Sequence, residues 1–325
     1  MADDQGARAI DLYRVMARIR RVELSIEELH RKGRISGSFH SSIGQEACAA
    51  GVCSVLSPQD VVTSTHRGHG HAIAKGVPIT GIFAELYGRA TGVSGGRGGS
   101  MHLHHRESGF LGESAIVGGA MAWAAGAAWA RRRLGTPSIA VGFVGDGAFS
   151  QGIFHETIRL AVLWESPVLF VCENNGFAHS MPVERTVGKP GAIADFVRAE
   201  GVHAVHVDGR DVNAVHEAAV QLAATVRDGV PAFLECEVYR VRPHSLSDPD
   251  YRYRPKEAGR EWLQDHDPLL RLRSHLGDDE TLDRIDAEIE REVDEAIVFA
   301  EGQPMLTPTD AWKDVYASPE LNARG

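Results

Sequence analysis

Cysteine is scarce: Cys48, Cys53, Cys172 and Cys236 are the only four in 325 residues, and no two stand in CxxC spacing. That argues against a disulfide-stapled secreted scaffold and against a cysteine-rich zinc module. Cys172 and Cys236 lie inside apolar runs, where a buried thiol is the ordinary occupant. Basic residues are in deficit, 34 Lys+Arg against 44 Asp+Glu, for a formal charge of −10. A nucleic-acid platform needs basic stripes to meet phosphate, so none is expected; backbone amides can still form a local anion pocket. No apolar run nears the roughly 20 residues that span a bilayer, so no membrane association is expected. The opening MADDQGARAI lacks the basic start and apolar stretch of a secretion signal. A reducing cytoplasm is the expected location. Hydrophobic residues make up 43% of the chain, enough for a sizeable core and too many for a disordered one.

What is present reads as alternation. Residues 8–32 have the spacing of an amphipathic helix through Ile10, Tyr13, Met16, Ala17 and Leu24, closed by Gly33 and Gly37. A small-residue helix is expected at 44–56. Between Thr63 and Gly119 glycine and histidine cluster, as in THRGHGH and GGRGGSMH, and the segment reads as functional loops. Then helices at 118–133, 153–164 and 211–228 alternate with apolar strands at 138–144, 168–173, 204–207 and 231–240. The first of these helices is rich in Ala and Gly, which lets another backbone approach closely. Continuously apolar strands separated by helices predict a mostly parallel sheet covered on both faces, a three-layer α/β/α fold. Residues 242–256 read as a polar, proline-rich loop and 280–301 as an acidic helix. With no repeat and no clear linker, residues 1–325 read as a single domain, with an N-terminal helix at about 8–32 and a C-terminal helical extension at about 257–325.

Ligands in such sheets bind beyond the carboxyl ends of the strands, and two short motifs fall there. Gly145-Asp146-Gly147 follows one strand; Asn174-Asn175-Gly176 follows the next, with Asn175 29 positions after Asp146. Taken singly, each is an ordinary turn. Together they bring a carboxylate and an amide oxygen to neighbouring strand ends, a donor set suited to Mg²⁺ completed by phosphate oxygens. Glycine permits the sharp turn, and amides at Gly147 and Ala148 face an anion at the start of the following helix. The combination points to Mg²⁺-diphosphate.

GDG followed at this distance by NN resembles the thiamine diphosphate motif. The segments GQEA at 44–47, THRGHG at 65–70, GGSMH at 98–102, IVG at 116–118, Gln151-Gly152 and HSLSDP at 244–249 narrow the resemblance to the E1 α subunits of 2-oxo acid dehydrogenases, with pyruvate, branched-chain and acetoin enzymes as relatives. It runs collinearly over roughly residues 8–300. The resemblance implies a thiamine diphosphate-binding fold and the cofactors thiamine diphosphate and Mg²⁺. It implies metal ligation by Asp146, Asn175 and the Phe177 carbonyl. Arg67 and His66 would contact the diphosphate with Gly147 and Ala148. Ala115 and Val117 would support the bent cofactor, and His40 and His244 would stand beside the reactive carbon. It also implies an E1 β subunit in an α₂β₂ assembly, supplying the glutamate that contacts the pyrimidine ring, and a lipoyl-carrying E2 as acyl acceptor. The implied reaction is decarboxylation of a 2-oxo acid, or cleavage of acetoin, with acyl transfer to the lipoyl group. The alternatives are a carboligase-type variant passing the activated aldehyde to another carbonyl, and a non-catalytic subunit that binds cofactor for assembly.

Plainer readings stand beside these. The histidines at 66, 69, 71, 102, 104 and 105 offer neither HExxH nor CxxC, so zinc is not expected and His69, His71, His104 and His105 read as loop or interface residues. Ser245 and Ser247 match positions phosphorylated in mitochondrial relatives; here an ordinary polar loop is expected. Ala115, Phe149, Ser150 and Arg242-Pro243 depart from the family pattern, and Phe149 and Arg242-Pro243 are expected to reshape the substrate side of the pocket.

Overall fold

The computed structural model describes residues 2–277 and 279–313. Its centre is a six-stranded, wholly parallel sheet of β1 (Val61–Thr65), β2 (Phe110–Ser114), β3 (Ala140–Gly145), β4 (Val168–Asn174), β7 (His203–Asp208) and β8 (Ala232–Glu237). The order across the sheet is β2-β1-β3-β4-β8-β7. A two-stranded antiparallel ribbon, β5 (Phe177–Ala178) and β6 (Met181–Pro182), follows β4. The helices are α1 (Ala2–Arg31), α2 (Glu46–Cys53), α3 (His69–Ala74), α4 (Ile79–Leu86), α5 (Gly119–Arg133), α6 (Gly152–Leu163), α7 (Val183–Thr186), α8 (Ala192–Ala199), α9 (Val212–Arg227), α10 (Ala258–His266), α11 (Pro268–Leu276) and α12 (Asp279–Gly302).

Side chains alternate along the strands and feed two separate cores, which makes three layers. Val141, Phe143, Leu169, Val171 and Leu234 join the core shared with α1, α2, α9 and α12. Ala140, Val144, Phe170, Cys172 and Phe233 join the core shared with α5, α6 and α8. Close approach is built in where α5 crosses β3: a Cβ added at Gly142 would lie 2.8 Å from the Ala124 methyl, so the small-residue face of α5 needs a glycine opposite it. The acidic α12 is answered by α1, where Arg14 meets Glu288 at 2.8 Å and Arg18 meets Glu292 at 2.9 Å. All four cysteines are buried free thiols. Among the described residues no helix is long and apolar enough to cross a membrane.

The elements differ from the sequence reading in two places. The N-terminal helix begins at Ala2 rather than near residue 8, and Leu24, counted in its apolar stripe, is 39% exposed. The span from Thr63 to Gly119 is not simply loop, because it contains the end of β1, all of β2, and α3 and α4. Its glycine density hides short elements that tertiary packing completes. In the expected C-terminal extension, α10, α11 and α12 carry the chain to Gly302; residues 314–325 lie outside the described part.

Candidate active site

The chain order reverses between β1 and β3: β2 lies on one side of that pair and β4 on the other. In an open parallel sheet the crevice at such a switch point is where ligands bind. Four strand ends converge on it. From β1 come Thr65, His66 and Arg67; from β2, Ser114, Ala115, Ile116 and Val117; from β3, Gly145, Asp146 and Gly147; from β4, Glu173 and Asn175. They enclose a cavity of about 380 Å³. His40 and His244, from segments distant in sequence, close it together with Phe177, Ala178 and His179. Thus His40, His66, Arg67, Ala115, Val117, Asp146, Gly147, Ala148, Asn175, Phe177 and His244 all line one space.

β3 and β4 are paired, with Gly145 opposite Glu173, so the residues that follow are neighbours. The Asn175 backbone N–H donates to Asp146 Oδ1 at 3.3 Å, and the Phe177 N–H donates to Asn175 Oδ1 at 3.3 Å. Asp146 Oδ2 is buried and has no hydrogen-bond partner among the described residues. Burial raises the Asp146 pKa to about 6. An unpartnered carboxylate oxygen in a loop that also carries an amide oxygen is a donor set that fits a hard cation such as Mg²⁺. Also lining the cavity, the buried Arg67 guanidinium donates to the Ser41 carbonyl at 2.5 Å and to the His244 carbonyl at 3.4 Å. Burial, then the nearby Arg240 cation, lowers its pKa to about 10.

Three imidazoles meet in the cavity. Ring centroids are 4.6 Å apart for His40 and His66, 4.9 Å for His40 and His244, and 5.3 Å for His66 and His244. Burial, then the Arg67 charge, lowers their pKa values to about 4 for His40, about 2 for His66 and about 3 for His244. All three are neutral at pH 7. One nitrogen of each lies within 4.8 Å of the others, the spacing from which a three-histidine metal centre could form. The Arg67 and Arg240 charges that depress these imidazoles equally oppose a dication among them. His69 and His71 are committed elsewhere, His69 to Glu23 and Ser100, His71 to Ser64 and Glu173. His104 contacts the Leu111 carbonyl and His105 contacts Ser108.

The dehydrogenase E1 component family model matches residues 14–309. The α subunit of acetoin:2,6-dichlorophenolindophenol oxidoreductase from Bacillus subtilis is 38% identical over 317 residues, covering 96% of this chain and 95% of the relative. The Zymomonas mobilis pyruvate dehydrogenase E1 component α subunit is 38% identical over 312 residues, 94% of this chain and 88% of the relative. The somatic-form mitochondrial pyruvate dehydrogenase E1 component α subunit of Homo sapiens is 35% identical over 321 residues, 96% and 81%. The chain belongs to the dehydrogenase E1 component family.

Within this E1 chain the departures fall outside the cavity, with one exception. Phe149 turns to Phe154 and Phe196, with ring centroids at 5.5 and 5.2 Å, and contributes nothing to the cavity wall. Arg242 donates to Glu27 on α1 at 2.7 Å. Phe149, Arg242 and Pro243 do not line the cavity; Phe149 and Arg242 have found an apolar and an ionic partner elsewhere. Only Ala115 lines the cavity. The 242–256 loop is tied down by the chain itself: Leu246 N–H donates to the Phe39 carbonyl at 3.0 Å, and Arg254 donates to the Arg240 carbonyl at 2.5 Å.

Several lining residues of this E1 chain escape a motif-based reading: Met101, Phe143, Gln151, Glu173 and His179. Met101 and Gln151 stand inside recognised segments and Glu173 directly precedes Asn174-Asn175, but none carries a separate mark. His179 sits four residues after Asn175, in the same loop, and that proximity was the available signal. The glycine-rich stretch is also clarified. Its backbone amides at Ser94, Gly96, Gly98 and Gly99 donate to the buried Glu85 carboxylate, at 2.8, 2.8, 2.7 and 3.0 Å. An anion cradle is present, and the chain fills it itself.

Proposed function

We propose that this E1 chain is the α subunit of a thiamine diphosphate- and Mg²⁺-dependent enzyme acting on a 2-oxo acid or on acetoin, with acyl transfer to a lipoyl carrier. The observation that carries the proposal is the convergence of the eleven residues marked by the sequence on one cavity at the switch point of the sheet. Asp146 and Asn175, with the Phe177 carbonyl, would hold Mg²⁺; the orphaned Asp146 Oδ2 is the atom that gains most. Arg67 and His66, with the amides of Gly147 and Ala148, would hold the diphosphate, and Ala115 and Val117 would support the ring system. Thiamine diphosphate, when bound, supplies a carbon nucleophile and an electron sink for breaking the bond next to a carbonyl. His40 and His244, neutral at pH 7, offer both a ring N–H donor and a lone pair to substrate oxygens at working pH.

The site is open to solvent along an apolar lip. Ile116 is 77% exposed, Val117 46% and Ile153 37%. Large apolar side chains at the mouth of a cavity favour a partner surface over water, which supports an E1 β subunit completing the site. The test is calorimetric titration with thiamine diphosphate and MgCl₂. The wild-type chain binds with its β subunit present, and Asp146→Ala weakens Mg²⁺-dependent binding at least a hundredfold; equal affinity would remove the proposed metal site. Turnover by the assembled pair on a panel of 2-oxo acids and acetoin, with an artificial electron acceptor, then identifies the substrate.

A further inference from the structure

The ribbon β5–β6 is a hairpin with a two-residue loop: Ala178 pairs with Met181, leaving His179 and Ser180 at the tip. His179 has φ +55°, one of two non-glycine residues with positive φ among those described. At the first position of such a tight loop glycine is the residue that costs nothing, and a side chain there is strained. The local rule is broken without local return, since neither ring nitrogen of His179 has a hydrogen-bond partner among the described residues. What the strain achieves is placement. The imidazole stands edge-on to His244 with centroids 4.5 Å apart and planes at 90°, and it lines the mouth of the cavity. Strained backbone that persists at a cavity and presents a polar ring to it points to function.

We propose that His179 is a substrate-contacting residue: its ring N–H donates to the substrate oxygen adjacent to the reacting carbonyl, a carboxylate oxygen in a 2-oxo acid or the hydroxyl in acetoin. The proposal rests on the functional reading above. It adds a contact that the motif segments do not contain, from a ring at the solvent side of His244. No covalent step is assigned to His179, and its part is to hold the substrate over the three deeper imidazoles.

The test uses the chain assembled with its β subunit and two variants chosen for the backbone. His179→Gly removes the ring and relieves the positive φ. His179→Asn keeps a residue that tolerates the left-handed region. Both are expected to fold with a Tm equal to or above that of the parent. Thiamine diphosphate affinity in the presence of Mg²⁺ should stay within twofold, while kcat/KM falls at least tenfold, mostly through KM. Added imidazole should restore part of that loss in His179→Gly and leave the parent unchanged. Parallel assays on a 2-oxo acid and on acetoin show which oxygen is held. A kcat/KM within twofold of the parent in both variants overturns the proposal, as does a tenfold loss of cofactor affinity, which would make the hairpin a cofactor clamp. Failure of the parent protein to bind thiamine diphosphate is a separate outcome and overturns the underlying functional reading instead.

Discussion

Glu113 sits fully buried near the cavity, with Oε2 accepting from the Leu103 N–H at 2.9 Å and Oε1 unpartnered among the described residues. Burial raises its pKa to about 8, against the opposing pull of His69 and with a push from Glu23. Its folded pKa lies above its unfolded value, so the neutral acid is the form the fold favours. That contribution is whole below the unfolded pKa near 4.5 and drains away as pH climbs to about 8. Chemical denaturation of the parent between pH 5 and pH 8.5 should therefore show stability falling by an amount on the order of a few kcal/mol from this group. Glu113→Gln, which keeps the shape and abolishes the titration, should flatten the decline; an unchanged slope would acquit Glu113. Individual residues were unevenly readable. Asp146 and Asn175 announced themselves because each comes at the end of an apolar strand and carries a side-chain oxygen. His179 did not, since its distinguishing property is a backbone angle that one-letter code conceals.

At the scale of elements, Glu85 on α4 is the peg around which residues 94–99 wind, and four amide donors converge on its carboxylate. Glu85→Ala leaves those donors without their charged acceptor. A loss of about 2–3 kcal/mol is expected, at the low end of breaking a buried charged hydrogen-bond set because water can reach part of the loop. Hydrogen exchange should quicken first at residues 94–99, and uniform quickening over the whole sheet would contradict a local role. The strands β3, β4 and β8 were legible because each opens on a run of apolar residues buried on both faces, although Glu235 interrupts the run in β8. β2 and α4 were not, since Phe110–Ser114 is interrupted by Gly112 and Ile79–Leu86 contains Gly81 and follows Pro78. Their burial comes from neighbours far along the chain, and periodicity within a short window carries no trace of that.

For the molecule as a whole, the apolar lip of Ile116, Val117 and Ile153 is the surface to test for assembly. Ile116→Asp places a charge where burial against a partner would strand it. Co-purification with the β subunit should be weakened at least tenfold, while circular dichroism and Tm of the separate chain stay at parent values, because Ile116 is exposed there. Undiminished co-purification would move the interface elsewhere. The layered architecture itself was foreseeable from alternation, whereas the cavity's closure by His40 and His244 was not deducible from pattern alone. Those residues reach it from segments about 200 positions apart, His40 before β1 and His244 after β8, and only the family resemblance paired them.

Arg67 joins those two segments. One guanidinium nitrogen holds the Ser41 carbonyl, 26 positions upstream, and another holds the His244 carbonyl, 177 positions downstream. A planar cation with several fixed donors can clasp both at once, which a lysine ammonium in the same place would do poorly. That wall of the pocket is consequently fastened by the same side chain that would greet an incoming anion, so a substitution at Arg67 would loosen the latch on the chain along with any grip on ligand.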